Sequence, residues 1–267
     1  MDLRGVQSSV SSRHRVRQCH LCCPKTLLNM LFTTSWDDGH PRDIAVASLL
    51  ERYGCTGTFY ACKAGGKGKA LSPEELRLLA ERHEIGAHTL THPSLPAISA
   101  ADMEREIRGS KEWIEGVLGK KCTMFAYPFG HFNTLARDTV ERAGFRGART
   151  TQDLSWDLSD PFRMPTSVQA HYFPFRPVAN RRFIEPFTTL WPRLRAENVS
   201  IFACRSWLKM AKAAFSAALN NRHPFFHLWG HSWALDTENM WGDFEAFLRF
   251  VVSHPEVRPV TNRVLLS

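Results

Sequence analysis

From residue 30 onward, short apolar runs alternate with amphipathic stretches, and this alternation limits the possible folds more than any other feature of the chain. Residues 30–36, 57–61, 84–88, 123–127, 146–150 and 225–230 read as strands, each a brief apolar run bounded by Gly, Pro, Asp or Asn. Between them, residues 44–53, 72–82, 99–119, 133–144, 206–219 and 238–252 carry apolar residues at helical spacing. Local signals mark the boundaries. Ser72-Pro73-Glu74-Glu75 reads as a capping box with proline at the first helical position, Asn133 as an N-cap, and Gly54 and Gly144 as helix stops. Residues 151–203 hold many of the prolines and read as loops with a short strand near 164–168 and a short helix; a last strand falls near 257–260. Strand–helix alternation predicts α/β architecture, a parallel sheet covered by helices, because a parallel connection must be long enough to hold a helix.

Length and composition narrow this further. A chain of 267 residues, 43% of them hydrophobic, can bury one sizeable core, so residues 30–267 are expected to form a single domain. No run of eighteen apolar residues is present, which speaks against a membrane span, and the first residues lack the apolar stretch of a secretory signal, which predicts a cytoplasmic location. Residues 1–29 hold four arginines and a lysine against one aspartate, half of the net charge of +8. They show no structural period and read as a disordered or spurious tail ahead of the folded domain. The other half of the charge reads as interspersed, which disfavours nucleic acid as a partner. Seven cysteines, an odd number scattered along the chain, fit reduced thiols better than a disulfide framework. Cys19-His20 and Cys22-Cys23 have no second ligand pair at the spacing of a zinc knuckle.

The chemistry-bearing residues gather at one edge. Asp37-Asp38-Gly39, His88, Pro128-Phe129-Gly130 and His231 all follow predicted strands, at the carboxyl ends where parallel α/β folds build their sites. Asp38, His88 and His92 offer one carboxylate and two imidazoles, a donor set suited to zinc or a similar first-row divalent ion such as Co, Mn, Ni or Fe. His88 and His92 are four residues apart, so a strand passing into a helical turn would put both on one face. Two adjacent carboxylates repel each other, and a cation on Asp38 would relieve that. Asp37 would then be available as general base toward a water of lowered pKa. His231, with an ordinary pKa near neutrality, is a candidate acid for a leaving amine. Trp229, Trp233 and Trp241 surround it in sequence; they could stack on sugar rings, but core packing is expected for at least two. His20, His40, His83, His171, His223, His227 and His254 read as structural or surface residues.

Taken in order, these motifs resemble the NodB-type polysaccharide deacetylases of carbohydrate esterase family 4. The family's T-F-D-D-G is matched by Ser35-Trp36-Asp37-Asp38-Gly39, its H-T-x-x-H-P by His88-Thr89-Leu90-Thr91-His92-Pro93, its R-x-P-Y-G by Ala126-Tyr127-Pro128-Phe129-Gly130, and its late Leu-His segment by Leu228-Trp229-Gly230-His231. The likeness covers roughly residues 30–260. It implies a distorted (β/α)7-type barrel, Asp37 as base, Asp38, His88 and His92 as metal ligands, and His231 as acid. It also implies an oxyanion and substrate-binding region at Pro128, Phe129, Gly130 and Trp233, in which the Phe129 N–H acts with the metal. Two departures stand out. The family arginine that orients the base is Ala126 here, so another cation, Arg163 or Arg149 being candidates, would have to replace it, or Asp37 is oriented differently. The family's later aspartate–tryptophan segment has no clean counterpart, although Asp153, Trp156 and Asp157 lie nearby. The expected activity is hydrolysis of a carbon–nitrogen bond other than a peptide bond, removing an N-acyl group, N-acetyl above all, from an amino sugar. Another small-molecule amide and a catalytically inactive carbohydrate-binding barrel are the alternatives. The oligomeric state stays open.

Overall fold

The computed structural model describes residues 30–66 and 68–267; the expected tail, residues 1–29, lies outside the described residues. Eight strands form one sheet: β1 (Met30–Trp36), β2 (Thr58–Ala61), β3 (Glu84–Ala87), β4 (Met124–Ala126), β5 (Gly147–Arg149), β6 (Val168–Ala170), β7 (Phe225–Gly230) and β8 (Val257–Val260). Every pairing is parallel, in the order β5-β4-β3-β2-β1-β7-β6. One edge of β1 pairs with β7 from Leu31 to Trp36. The other edge is shared, with β8 against Met30–Thr33 and β2 against Ser35 and Trp36. The ends of the sheet approach each other through residues 164–170. The Met164 N–H donates to Ala148 of β5, the Ser167 N–H donates to His227 of β7, and β6 then continues along β7. The result is a distorted barrel of seven strands, with β8 inserted beside β1. The strand expected near residues 164–168 forms its ladder at Val168–Ala170, because Pro165 has no N–H to donate and the Thr166 N–H turns to Gln152.

The helices are α1 (Asp43–Arg52), α2 (Pro73–Leu79), α3 (Ala100–Leu118), α4 (Thr134–Arg142), α5 (Glu185–Ala196), α6 (Trp207–Asn220), α7 (Ser232–Thr237) and α8 (Trp241–Val252). The capping box at Ser72 and the Asn133 cap form as the sequence suggests. Two boundaries differ. Helix α2 ends at Leu79, short of residue 82. The helix expected over 238–252 starts only at Trp241, after left-handed Asn239 (φ 52°) separates it from α7. Among the described residues no helix is long and apolar enough to cross a membrane.

The two faces of the strands have different chemistry, and that difference positions the site. Outward Phe32 meets Phe215 of α6 and Phe247 of α8, at centroid distances of 6.5 and 6.3 Å, and Trp36 meets Phe244 of α8 at 5.0 Å. These side chains are fully buried; truncating one such ring to alanine typically costs about 3–5 kcal/mol. The inward residues of β1 are polar. Thr33 Oγ1 donates to Asn262 Oδ1 at 2.7 Å, and Ser35 Oγ lies 2.8 Å from His227 Nε2. Because strand side chains repeat every two residues, the series Thr33, Ser35, Asp37 ends with a carboxylate in the barrel mouth. The series Phe225, His227, Trp229, His231 ends the same way on β7. The Tyr60 ring crosses the interior over Gly86, where a Cβ would lie 2.4 Å from the ring.

Candidate metal centre and its surroundings

Asp38 follows β1 in a turn in which both it (φ 77°) and Gly39 (φ 62°) are left-handed, which swings its carboxylate away from Asp37. His88 extends the line of β3, and its Nδ1 lies 2.8 Å from the carbonyl oxygen of Ala126. A carbonyl can only accept, so Nδ1 carries the proton and Nε2 presents its lone pair to the mouth. His92 reaches the same point from a loop. Its Nε2 is 3.1 Å from His88 Nε2 and 3.4 Å from Asp38 Oδ1, which is itself 4.0 Å from His88 Nε2.

The two histidines do not share a helical face. The segment between them is irregular, with Thr89 (φ 66°) and His92 (φ 61°) both left-handed. Buried Glu106 of α3 holds it in that shape by accepting from the Leu90 N–H, the Thr91 N–H and Thr91 Oγ1 at 2.8, 2.9 and 2.7 Å. Thr89 Oγ1 accepts from the His92 N–H at 3.0 Å. Glu106 was not foreseen, though a glutamate on the buried stripe of Met103, Ile107 and Ile114 was its signal.

The donor set fits a divalent cation. One atom from each of Asp38, His88 and His92 lies within 4.8 Å of the others. Among the described residues Asp38 Oδ1 is buried without a hydrogen-bond donor, and two imidazole nitrogens face each other beside it. Asp38 Oδ2 is engaged by the indole N–H of Trp233 at 2.9 Å, which leaves Oδ1 as the atom turned toward the histidines. Gly66 presses on this carboxylate from the facing loop; a Cβ there would lie 2.1 Å from Asp38 Oδ1. Burial pushes the His88 pKa down to about 4, only partly offset by Asp37, and so favours the neutral imidazole that a metal requires.

Asp37 sits behind this cluster with Arg149. The guanidinium is fully buried, contacts Asp37 Oδ1 through Nη2, and lies between the rings of Tyr60 and Trp229 at 5.2 and 5.0 Å. In the β4–β5 register, Arg149 is the direct partner of Ala126. The cation absent from β4 is therefore supplied at the neighbouring position on β5, with Ala126 leaving room. Arg163 lies elsewhere, exposed over the Phe132 ring. Burial alone would raise the Asp37 pKa, but Arg149, His88 and His231 together hold it below the usual carboxylate range.

His231 follows β7 with its Nε2 3.9 Å from Asp38 Oδ2. Burial lowers its pKa, and Asp37 and Asp38 restore only part of the shift. Phe129, left-handed at φ 60°, is 58% exposed at the rim with its ring 4.7 Å from that of His92. A cleft of about 530 Å³ is lined by Asp37, Asp38, His88, His92, His231 and Trp233, with Phe129 and Arg176 at its side. Of the three tryptophans, Trp229 is buried, Trp233 lines the cleft, and Trp241 is half-buried with its N–H on Asp236. The unaligned acidic segment separates in space. Asp153 is half-buried and lines the cleft, where Oδ1 accepts from Trp229 Nε1 and Thr166 Oγ1. Trp156 stacks on His223 outside it, and Asp157 is exposed.

Comparison with known proteins adds a family likeness. The sequence model described as Polysaccharide deacetylase matches residues 30–148. The Chitooligosaccharide deacetylase of Azorhizobium caulinodans is 27% identical over 130 residues, 48% of this chain and 58% of that one. The chain spans about half the length of the first curated relatives it matches, 42% and 58%. The Xyl-CE4 domain of a multidomain xylanase from the hindgut metagenome of Trinervitermes trinervoides superposes with a TM-score of 0.56 at 13% identity, covering 89% of both chains. The family 4 carbohydrate esterase from Streptomyces lividans, in complex with acetate, gives 0.53 at 16% identity over 86% of this chain and 92% of that one. Identities this low speak for the barrel alone, and the sequence match carries the likeness: residues 30–148 are similar to the polysaccharide deacetylase family.

Proposed function

We propose that this protein is a metal-dependent hydrolase that removes an N-acyl group, N-acetyl above all, from an amino sugar. The observation that carries the reading is the convergence of Asp38 Oδ1, His88 Nε2 and His92 Nε2 within 4.8 Å, beside a carboxylate held by a buried arginine. Asp38, His88 and His92 would hold one divalent ion, zinc first among the candidates, which supplies Lewis acidity toward the acyl oxygen and toward water. Asp37 is the general base: Arg149 fixes its orientation and keeps it ionised, so it can accept a proton from the attacking water. His231, across the Asp38 carboxylate, delivers a proton to the amine nitrogen as the carbon–nitrogen bond breaks. An amine leaves poorly unless protonated, so the reaction needs both groups. In this reading the Phe129 N–H stabilises the charge that develops on the acyl oxygen, with Pro128 and Gly130 in the same turn. Trp233 holds Asp38 and offers its ring as a wall for the sugar.

The test is elemental analysis of the purified protein together with acetate release from a panel of N-acetylated amino sugars and their oligomers. His88→Ala and His92→Ala should each lose the metal, whereas Asp37→Asn should keep it and lose turnover. Metal-free Asp37→Asn protein would mean that the two aspartates have been assigned the wrong roles. Metal-loaded protein that releases acetate only from a simple amide would move the substrate to small-molecule amides.

A further inference from the structure

Beside the cleft, one segment of the chain differs from the rest in both charge and exposed apolar side chains. Residues 171–205 hold six arginines (Arg176, Arg181, Arg182, Arg193, Arg195 and Arg205) against Glu185 and Glu197. The remainder of residues 30–267 holds 23 Lys and Arg against 23 Asp and Glu, so this stretch carries the whole net charge of the folded body. The interspersed distribution expected from the sequence does not hold. The same stretch contributes six of the ten large hydrophobic side chains exposed among the described residues: Phe175, Val178, Phe183, Ile184, Ile201 and Phe202.

Residues 177–184 form an unbroken exposed run, yet the segment around them is ordered by its own contacts. The Phe175 and Phe183 rings stack at 4.6 Å with 1° between their planes, and the Arg176 N–H donates to the Phe183 carbonyl at 2.9 Å. Asn180 Oδ1 accepts from the Arg182 N–H at the start of the turn Arg181–Ile184. Arg181, Arg182 and Arg195 have no ion-pair partner among the described residues. Grouped exposed apolar side chains signal a surface that meets something apolar. Six arginines on one stretch oppose a second copy of the same surface and favour an anionic one. Aliphatic Val178, Ile184 and Ile201 gain nothing from the faces of sugar rings and gain from acyl chains. We infer that residues 171–205 dock the protein on an anionic lipid surface, the apolar side chains entering the headgroup–acyl boundary and Arg181, Arg182 and Arg195 meeting lipid phosphates. Arg176 also lines the cleft, so docking sets the cleft beside that surface.

The test is co-sedimentation of the full chain with vesicles of phosphatidylcholine alone and of phosphatidylcholine with an equal share of phosphatidylglycerol. The protein should pellet with the mixed vesicles, stay in solution with the neutral ones, and detach in high salt. Arg181→Ala with Arg182→Ala should weaken binding about thirtyfold, the size expected for two basic residues at an anionic leaflet. Phe175→Ser with Phe183→Ser should weaken it as well, whereas Leu78→Ser, at an equally exposed site on α2, should not. Melting temperature should be unchanged in the arginine pair, whose side chains hold no ion pair among the described residues. No binding by the unmodified protein overturns the inference. So does binding that survives both double variants, which would assign it to the basic residues of 1–29. Equal retention on an acidic polysaccharide, or variants that turn a dimer into a monomer, would assign the surface to another partner and overturn it too.

Discussion

Arg149→Met removes one charge from the centre of the site and leaves most of the side chain's volume. Arg149 has no exposed surface and Asp37 only 3%, so the Asp37 carboxylate would be left in the interior without the cation that contacts it. Breaking a buried pair from one side typically costs about 3–5 kcal/mol, because the remaining charge is neither solvated nor neutralised. In a domain of this size each kcal/mol lowers the melting temperature by roughly 2–4 °C, so a fall on the order of 10 °C is expected by circular dichroism. A chelator belongs in the buffer, so that no divalent ion takes over the part of the arginine. Asp37→Asn alone strands the arginine and should cost a similar amount. The double variant has neither charge and should recover several kcal/mol relative to the sum of the single variants, since removing both buried partners is far cheaper than removing one. Recovery should fall short of complete, because the guanidinium also stacks between Tyr60 and Trp229. Additivity to within about 0.5 kcal/mol, or an Arg149→Met protein melting within a degree or two of the original, would refute the claim that this pair organises the base.

Three further outcomes follow from the same contacts. Glu106→Gln replaces one of the two carboxylate oxygens that gather Leu90 and Thr91, so zinc affinity, read by chelator competition, should fall roughly tenfold or more; an unchanged affinity would show that the loop holds its shape alone. Gly66→Ala places a methyl group 2.1 Å from Asp38 Oδ1 and should empty the metal site while the metal-free protein melts within a few degrees of the original; full metal content in the variant would contradict this. Burial lowers the His227 pKa from 6.5 to about 3, so the native state stays neutral where the unfolded chain takes up a proton. Its contribution is present above pH 6.5 and is lost as pH falls toward 3, at up to about 1.4 kcal/mol per pH unit. His227→Gln should therefore flatten the dependence of melting temperature on pH between about 6 and 4, even if it melts lower at neutrality, and an unaltered slope would count against a buried neutral histidine.

Much of the barrel could be read in advance because its strands carry their faces in sequence. Thr33, Ser35 and Asp37 alternate with Phe32, Trp36 and their neighbours, so the period of two announces both the core and the inward carboxylate. The helix limits at Ser72, Ser99, Asn133 and Gly119 follow from capping chemistry that needs only a few neighbouring residues. Legibility fails where a distant partner sets the backbone. Nothing local to residues 238–241 predicts that Asn239 will take a left-handed conformation and split one apolar stretch into two helices. Residues 164–170 shift register because their donors are shared among β5, the 152–155 loop and β7, and only the closed barrel brings those acceptors together.

The site divides along the same line. Asp38, His88 and His231 were visible because each lies within two residues of a strand's end, and parallel packing collects strand ends at one mouth; His92 was visible through its spacing from His88. The means of bringing the histidines together was misread: four-residue spacing suggests a helical turn, whereas two left-handed residues clamped by Glu106 achieve the approach. Arg149 was one of two candidates and could not be chosen from the chain alone, since Ala126 and Arg149 are 23 positions apart. Strand register makes them neighbours. In a parallel sheet the side chains of paired residues project from the same face, so a long arginine on β5 reaches the space that one on β4 would fill, provided the β4 residue is small. Alanine at 126 is thus half of the arrangement and not merely a missing arginine: any bulky side chain there would compete with the guanidinium for the wall beside Asp37. A motif compared position by position registers a loss at 126, while the physical requirement, a buried cation against the base, is met one strand away.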